Sequence, residues 1–200
     1  KMLEKAYSFM IRVRLPGGVT TSKQWLSLDA IAGTYANHTL RLTTRQAIQF
    51  HHVKSPNLGA LVRFLGQDYP NNGYQMSTLA ACGDVNRNVM AAPTPAYTKA
   101  REQVFADSHK VALALAPQTK AYHSIWIDGV QLDNEAAENK TFVDPLYGKT
   151  YLPRKFKIAF VIPPVNDMDI FTNCLGFIAV VENDQLIGYN LCVGGGMGRS

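Results

Sequence analysis

Two pairs of cationic residues in this sequence are spaced as alternate residues of a β-strand. Arg12 and Arg14 form the first pair, and Lys155 and Lys157 form the second. Residues i and i+2 of a strand lie on one face, about 7 Å apart, and apolar residues occupy the opposite positions of both segments. We therefore expect each pair of cations to face water or an anion.

Arginine and lysine suit different tasks at such a site. Arginine binds a planar carboxylate through two parallel hydrogen bonds, whereas lysine supplies a mobile charge and a proton. A polycarboxylate held by arginines, with lysines at a reacting centre, would use both residue types. For any single pair a solvated strand face is the simpler explanation, and it is the recurrence of such clusters that favours an anion site.

The positive charge of the chain is concentrated in these clusters. The sequence has 20 Lys and Arg against 15 Asp and Glu, a net charge of +5. Setting eight cations aside leaves 12 against 15 acids, the balance of an ordinary, slightly acidic globular protein. These eight are Arg12, Arg14, Arg41, Arg45, Arg87, Arg154, Lys155 and Lys157.

The first element group that would position these cations is a small α+β unit. Alternation of apolar residues predicts strands at 7–15, 39–43 and 45–53, the last with Arg45, Gln49 and His51 opposite Ile48 and Phe50. A capping box formed by Thr21 and Gln24, and the step Ser55-Pro56, predict helices at about 22–36 and from residue 55 onward. The order β-α-β-β-α predicts a ferredoxin-like half-domain over residues 1–68.

The polar stretch 69–78 predicts a boundary, after which we expect a mixed α/β domain over residues 76–200. The apolar periodicity predicts a helix at about 95–116 and strands near 122–128, 156–162, 175–181 and 186–193. Residues 133–150 are expected to form a surface excursion. The fold class that follows is α+β.

Composition excludes several classes of protein. No window approaches the ~20 apolar residues of a membrane span, and the first 15 residues lack the apolar run of a secretory signal. The sequence has three cysteines and no C-x-x-C pair, so it predicts neither a disulfide framework nor a zinc site. The cysteines are Cys82, Cys174 and Cys192. We expect three buried or half-buried free thiols in a reducing, cytoplasmic compartment, and core positions for both tryptophans.

Five segments together resemble the sirohaem-dependent sulfite and nitrite reductase haemoproteins. In chain order they are RVRLPGG at 12–18, LRLTTRQ with QFH at 40–46 and 49–51, DVNRNV at 84–89, LPRKFK at 152–157, and GGGMG at 194–198. Each segment alone is weak evidence, but five in order across nearly the whole chain are specific. The first and fourth resemble the assimilatory sulfite branch more than the nitrite branch.

The resemblance implies a sirohaem, a tetrapyrrole with eight carboxylates, coupled to a 4Fe-4S cluster. It also implies six-electron reduction of sulfite to sulfide. Residues implied in catalysis are Arg12, Arg87, Lys155 and Lys157. Residues implied in holding the cofactor or flanking it are Arg14, Arg41, Arg45, Gln49, His51, Asn86 and Arg154.

The resemblance also implies partners beyond this chain. It implies that this chain is the N-terminal half of such a protein and that the C-terminal half is one of its partners. The family holds its cluster with four cysteines from that C-terminal half, and Cys82, Cys174 and Cys192 do not match the pattern, so no metal ligand is assigned here. We expect an electron-donor protein, with an NADPH flavoprotein favoured over a ferredoxin, and no sulfite reduction by these 200 residues alone. Two alternatives stay open: a nitrite reductase, and a non-catalytic basic binding module with affinity for a tetrapyrrole or nucleic acid.

Overall fold

A computed structural model of the chain describes residues 7–67, 76–78, 80–93, 98–117, 126–127, 130–131 and 143–196. Within these ranges the chain forms two α+β units, each built around its own sheet. The predicted fold class is therefore confirmed. No described helix is long and apolar enough to cross a membrane.

The first unit has the predicted order β-α-β-β-α. Its elements are β1 (Ser8–Val13), α1 (Ser22–Tyr35), β2 (Arg41–Leu42), β3 (Ile48–Lys54) and α2 (Leu58–Gln67). The three strands form an antiparallel sheet in the order β1-β3-β2. The central strand is therefore β3, the last of the three in sequence. Its neighbours β1 and β2 carry the candidate residues Arg12 and Arg41.

One face of this sheet is covered by the two helices. Val13, Ile48 and Phe50 are at most 1% exposed and pack with Leu28 of α1 and Leu61 of α2. The capping box is present, since Thr21 Oγ1 accepts from the Gln24 amide at 3.2 Å and Gln24 Oε1 accepts from the Thr21 amide at 2.8 Å. The alternation therefore predicted the faces of β1 and β3 correctly at these positions.

The second unit is a four-stranded mixed sheet covered by one helix. Its elements are β4 (Met90–Ala91), α3 (Lys99–Ala114), β5 (Trp126–Ile127), β6 (Val130–Gln131), β7 (Ile158–Val161), β8 (Leu175–Glu182) and β9 (Gln185–Val193). The order of the main sheet is β4-β7-β8-β9, parallel at the first two interfaces and antiparallel at the third, while β5 and β6 pair separately. Phe160 stacks on Phe177 with ring centroids 4.3 Å apart, beneath Tyr189.

Several sequence-based expectations need correction. The short strand β4 was not predicted, because two residues give no alternation to detect. Trp25 is 43% exposed and Cys82 is exposed, so neither occupies the buried position expected of it, whereas Cys174 and Cys192 are half-buried as expected. Most of the predicted strand 122–128, the early part of the surface excursion, and the side chain of Trp126 lie outside the described residues.

The two units are joined by backbone and side-chain hydrogen bonds. The Arg14 amide donates to the Ser77 carbonyl at 2.8 Å, and the Gly17 amide donates to the Val89 carbonyl at 2.9 Å. Gly17 has φ +65°, and a Cβ there would overlap the ring of Phe105 on α3, so the turn after β1 can approach α3 only as glycine. This junction brings the cations of both units together.

Candidate functional site

The face of the first sheet opposite its helices carries a row of polar side chains. Arg12 on β1 pairs with Gln49 on β3, which pairs on its other side with Arg41 on β2. His51 follows two residues after Gln49 and therefore lies on the same face. Three strands thus place two guanidinium groups, an amide and an imidazole on one surface.

The amide of Gln49 connects Arg12 to His51. With its oxygen turned toward Arg12, it accepts from Nη2 at 2.6 Å and from Nε at 3.0 Å, while its nitrogen donates to His51 Nε2 at 3.0 Å. That donation requires a neutral His51 with an unprotonated Nε2. The pKa of His51 is lowered by desolvation and by the positive charges of Arg41 and His52, which favours this neutral form.

Arg12 and Arg87 meet at one loop of the second unit. Arg12 Nη1 lies 3.7 Å from Cys82 Sγ, and Arg87 Nε donates to the carbonyl of Gly83 at 3.2 Å. The backbone amide of Arg87 also donates to the carbonyl of Phe156 at 2.9 Å. That bond fixes Arg87 beside the segment that carries Lys155 and Lys157.

Lys157 lies in a positively charged environment. Burial lowers its pKa most, and Arg45, Lys155 and Arg87 lower it further, while Cys174 opposes the change. A lowered lysine pKa makes proton donation easier near neutral pH. The structure thus brings both predicted lysines into the same cluster as arginines from distant parts of the chain.

Arg45 crosses from the first unit to the second. Its Nη2 donates to the carbonyl of Ile158 at 2.8 Å and its Nη1 donates to Asn173 Oδ1 at 3.1 Å, whereas its buried Nε has no partner among the described residues. Burial lowers the pKa of Arg45 to about 10, with Cys174 opposing and Arg87 reinforcing that effect. A cavity of about 370 Å³ lies beside Arg45 and Lys157.

Asn86 is held by an aromatic residue that sequence reasoning missed. The Asn86 amide donates to Tyr147 Oη at 3.0 Å, and the Tyr147 hydroxyl donates to the carbonyl of Leu115 at 2.6 Å. Asn86 Oδ1 is buried without a partner in the described part of the chain. Burial raises the pKa of Tyr147, so the phenol stays protonated. No local motif marks Tyr147, because its contacts are long-range.

Arg14 does not share the exposed face expected for it. Only 2% of Arg14 is exposed, and its Nη1 donates to the carbonyl of Ala112 near the end of α3 at 3.1 Å. Strand β1 ends at Val13, and beyond that point α3 covers the face on which Arg12 remains open. Burial accordingly lowers the pKa of Arg14. Arg154, in contrast, is exposed.

The remaining candidate cations have no ion-pair partner in the described part of the chain. Among the described residues, no carboxylate forms an ion pair with any of Arg12, Arg41, Arg45, Arg87, Arg154, Lys155 or Lys157. So many convergent positive charges repel one another and favour an anion bound between them. Within the same described ranges, no group of three or more His, Cys, Asp or Glu residues could hold a metal ion.

Gly194 and Gly195 shape the end of the second sheet. Both have positive φ, and a Cβ at Gly195 would collide with the carbonyl of Asn173, the residue that accepts from Arg45. The Gly194 amide donates to the carbonyl of Cys174 at 3.1 Å. The glycine segment therefore makes a close backbone approach to the loop before β8.

Two family models match the chain. The model described as "Nitrite/Sulfite reductase ferredoxin-like half domain" matches residues 2–67, and the model described as "Nitrite and sulphite reductase 4Fe-4S domain" matches residues 106–200. Together they cover most of the sequence, and both describe the same family.

Curated relatives agree with these models. The chain is 51% identical over 198 residues to a sulfite reductase [NADPH] hemoprotein beta-component from Xanthomonas euvesicatoria, and 49% identical over 196 residues to that of Staphylococcus saprophyticus. These matches cover 99% and 98% of this chain but 33% of each relative. The chain therefore spans about a third of their length, less than the half that the sequence resemblance implied.

Solved structures support the fold. The Mycobacterium tuberculosis NirA protein superimposes with a TM-score of 0.62 at 24% identity, over 94% of this chain and 28% of that one. Dissimilatory sulfite reductase I gives a TM-score of 0.56 at 9% identity, over 88% of this chain and 34% of that one. The motifs, the family models and the relatives agree, and this chain belongs to the nitrite and sulfite reductase family.

Proposed function

We propose that the chain is part of a sulfite reductase haemoprotein, the beta component, which reduces sulfite to sulfide with six electrons at a sirohaem coupled to a 4Fe-4S cluster. The observation that carries this proposal is the convergence of Arg12, Arg45, Arg87, Lys155 and Lys157, none of which has a carboxylate partner among the described residues. The names of the curated relatives support sulfite as the substrate and NADPH as the source of electrons.

The residues present fit a polycarboxylate tetrapyrrole. Arg41, Gln49 and His51 offer polar groups along one sheet face, and Arg45 keeps a buried Nε without a described partner. Asn86 is assigned with them from the resemblance, since its buried Oδ1, unpaired among the described residues, is an acceptor and could not bind a carboxylate oxygen. Together with the exposed Arg154, these residues would hold the sirohaem. Arg14 is left out of this set, because its guanidinium is buried against Ala112.

The bound sirohaem and cluster would pass on the electrons of the donor protein and would supply a metal to which sulfite attaches. The chain's own residues would neutralise and orient the anion. Arg12 and Arg87, which contact the same loop, would hold the sulfite oxygens through charge-assisted hydrogen bonds. Gln49 keeps Arg12 in position.

The lysines would supply protons as S–O bonds break. Lys157, with its lowered pKa, gives up a proton from Nζ more readily than an ordinary lysine. Lys155 adds positive charge that stabilises the oxygen atoms as they become more basic. Because both lysines already lie in the cluster, their positive charges are in place before the reaction begins.

We also propose the finer assignments that the relatives' names support. The electron donor is an NADPH-dependent flavoprotein, and the reaction supplies sulfide for cysteine biosynthesis. The free thiols fit a cytoplasmic protein. We assign residues 1–68 to the ferredoxin-like half-domain and residues 76–200 to the sirohaem-binding domain.

The test is to purify the full-length protein that carries this chain and to measure reduction of sulfite and of nitrite by reduced methyl viologen. We expect a sirohaem absorption spectrum and a higher kcat/KM for sulfite than for nitrite. A higher kcat/KM for nitrite would refute sulfite as the substrate and would identify the protein as a nitrite reductase. A colourless protein with salt-sensitive DNA binding would instead identify the basic binding module and refute the enzyme proposal.

A further inference from the structure

We propose that Asn88 is a positioning residue that sets the separation of the Arg45 and Arg87 guanidinium groups. This inference rests on the proposed function for its meaning in catalysis, but not for its geometry. Asn88 contacts neither of the two guanidinium groups directly. Its effect would pass through the backbone of the segments that carry them.

The side chain of Asn88 lies at the junction of the two units. It is 1% exposed, and its Nδ2 lies 2.8 Å from the carbonyl oxygen of Leu15, 2.9 Å from that of Arg45 and 3.1 Å from that of Gln46. Three acceptors around one nitrogen fix the orientation of the amide. The amide thereby joins the end of β1 to the turn between β2 and β3.

That turn is held at a second point by Gln46. Gln46 Nε2 donates to the carbonyl of Ala91 at 2.7 Å, and its Oε1 accepts from the Ala91 amide at 3.0 Å. Gln46 adopts φ +51°, a conformation that a non-glycine residue holds only when its surroundings impose it. Asn88 and Gln46 therefore fix the turn against β4 from both sides.

The consequence concerns the charges of the cluster. Arg45 is fixed at its carbonyl by Asn88 and at its guanidinium by Ile158 and Asn173, while Arg87 directly precedes Asn88 in the chain. Two like charges in a partly buried site repel each other, so their separation must be imposed by the surrounding structure. Asn88 connects both backbones and imposes it. Asn88 acts through its Nδ2 donor, and its Oδ1 is buried without a partner among the described residues.

The variants are made in the full-length haemoprotein. Asn88→Ser keeps a small polar group but cannot reach three carbonyl oxygens, and Gln46→Met removes both bonds to Ala91 while leaving Asn88 in place. Gln46→Met keeps the test decisive if Asn88→Ser does not fold. Gln24→Ala is the matched control, because it removes a buried hydrogen-bonding side chain from the α1 capping box, away from Arg45.

Each variant is tested for sirohaem per chain, for KM and kcat per haem with sulfite, and for hydrogen–deuterium exchange of the peptide spanning 43–47. We expect Asn88→Ser to raise KM about tenfold, to change kcat per haem less than twofold, and to speed exchange in that peptide. Gln46→Met should change the same quantities by a smaller factor. Gln24→Ala should leave all of them unchanged.

Unchanged exchange at 43–47 in Asn88→Ser would overturn the positioning role, whether or not the protein reduces sulfite. Equal changes of KM in Asn88→Ser and Gln24→Ala would also overturn it, because the effect would then follow from stability alone. If the wild type reduces no sulfite but exchange still quickens in Asn88→Ser, the proposed function fails while Asn88 remains the residue that holds Arg45.

Discussion

Replacing Lys157 by methionine in the full-length haemoprotein removes one positive charge and one proton donor while keeping the length of the side chain. Burial and the charges of Arg45 and Lys155 hold the pKa of Lys157 below its ordinary value. This lowered pKa makes it easier for Lys157 to give up a proton. We expect turnover per haem to fall, with an unchanged sirohaem spectrum.

The size of the effect follows from what the lysine supplies. Removing one preorganised electrostatic group costs about 2.7–4 kcal/mol, and a positioned proton donor contributes roughly 10²–10⁴-fold. Lys155 stays in the cluster and retains part of the positive charge. We therefore expect the lower end, a loss of about 10²-fold in turnover per haem.

Although turnover should fall, the free energy of unfolding of the Lys157→Met variant should increase or stay unchanged. Folding lowers the pKa of Lys157, so its charged form opposes folding at pH values below its folded-state pKa. That penalty is relieved as the pH rises through the folded-state pKa toward the ordinary value of 10.5. Methionine carries no charge, so the variant should unfold at the same or a higher denaturant concentration at neutral pH.

The assay is reduction of sulfite by reduced methyl viologen at saturating sulfite, expressed per sirohaem, from neutral to alkaline pH. Wild-type turnover should decline at alkaline pH, as Lys157 loses its proton. Lys110→Met, which alters an exposed lysine on α3 paired with Asp107, is the control and should keep wild-type turnover. Near-normal rates in Lys157→Met and in Lys155→Met would refute the catalytic role and return both lysines to a solvated strand face.

Three further expectations follow from the same geometry. Arg45→Ala should lower sirohaem content several-fold more than turnover per haem, measured by absorbance and assay on the same sample, and equal losses would contradict a cofactor-holding role. Folding lowers the pKa of His51 below the 6.5 of a free imidazole, so His51 should become protonated only at pH values below 6.5. Protonation should break the bond from Gln49 and loosen Arg12, so the KM for sulfite should rise as the pH falls. A His51→Phe variant should lose that pH dependence. Phe160→Ala should cost about 3–5 kcal/mol of unfolding free energy in denaturant titrations, because it leaves a cavity beneath Phe177.

Local patterns were sufficient for the elements of the first unit. The alternation of apolar residues predicted the buried faces of β1 and β3, because a strand has a period of two and one face must pack on helices. The capping box predicted the start of α1 because its hydrogen bonds join residues only three apart. The resemblance carried by the five motifs gave the family, which the family models and relatives confirm.

Local patterns could not predict that Arg14 is buried. Alternation assigned Arg14 to the open face of Arg12, but the carbonyl that Arg14 binds belongs to Ala112, 98 residues away. Whether a strand face is covered depends on which distant helix packs on it. The predicted burial of Cys82 and Trp25 was wrong for a related reason. Residue type predicts the average burial of a side chain and not how much of it is buried at one position.

By itself, the sequence determined that positive charge is in excess, which residues carry that excess, and which of them alternate with apolar residues. Their convergence was decided by tertiary structure, through contacts such as Arg45 with Asn173 across 128 residues and Asn88 with Leu15 across 73. Tyr147 and the turn-holding amides of Gln46 and Asn88 have no local signature for the same reason. A hydrogen bond between distant segments depends on how whole sheets pack, and no short window of sequence contains that information.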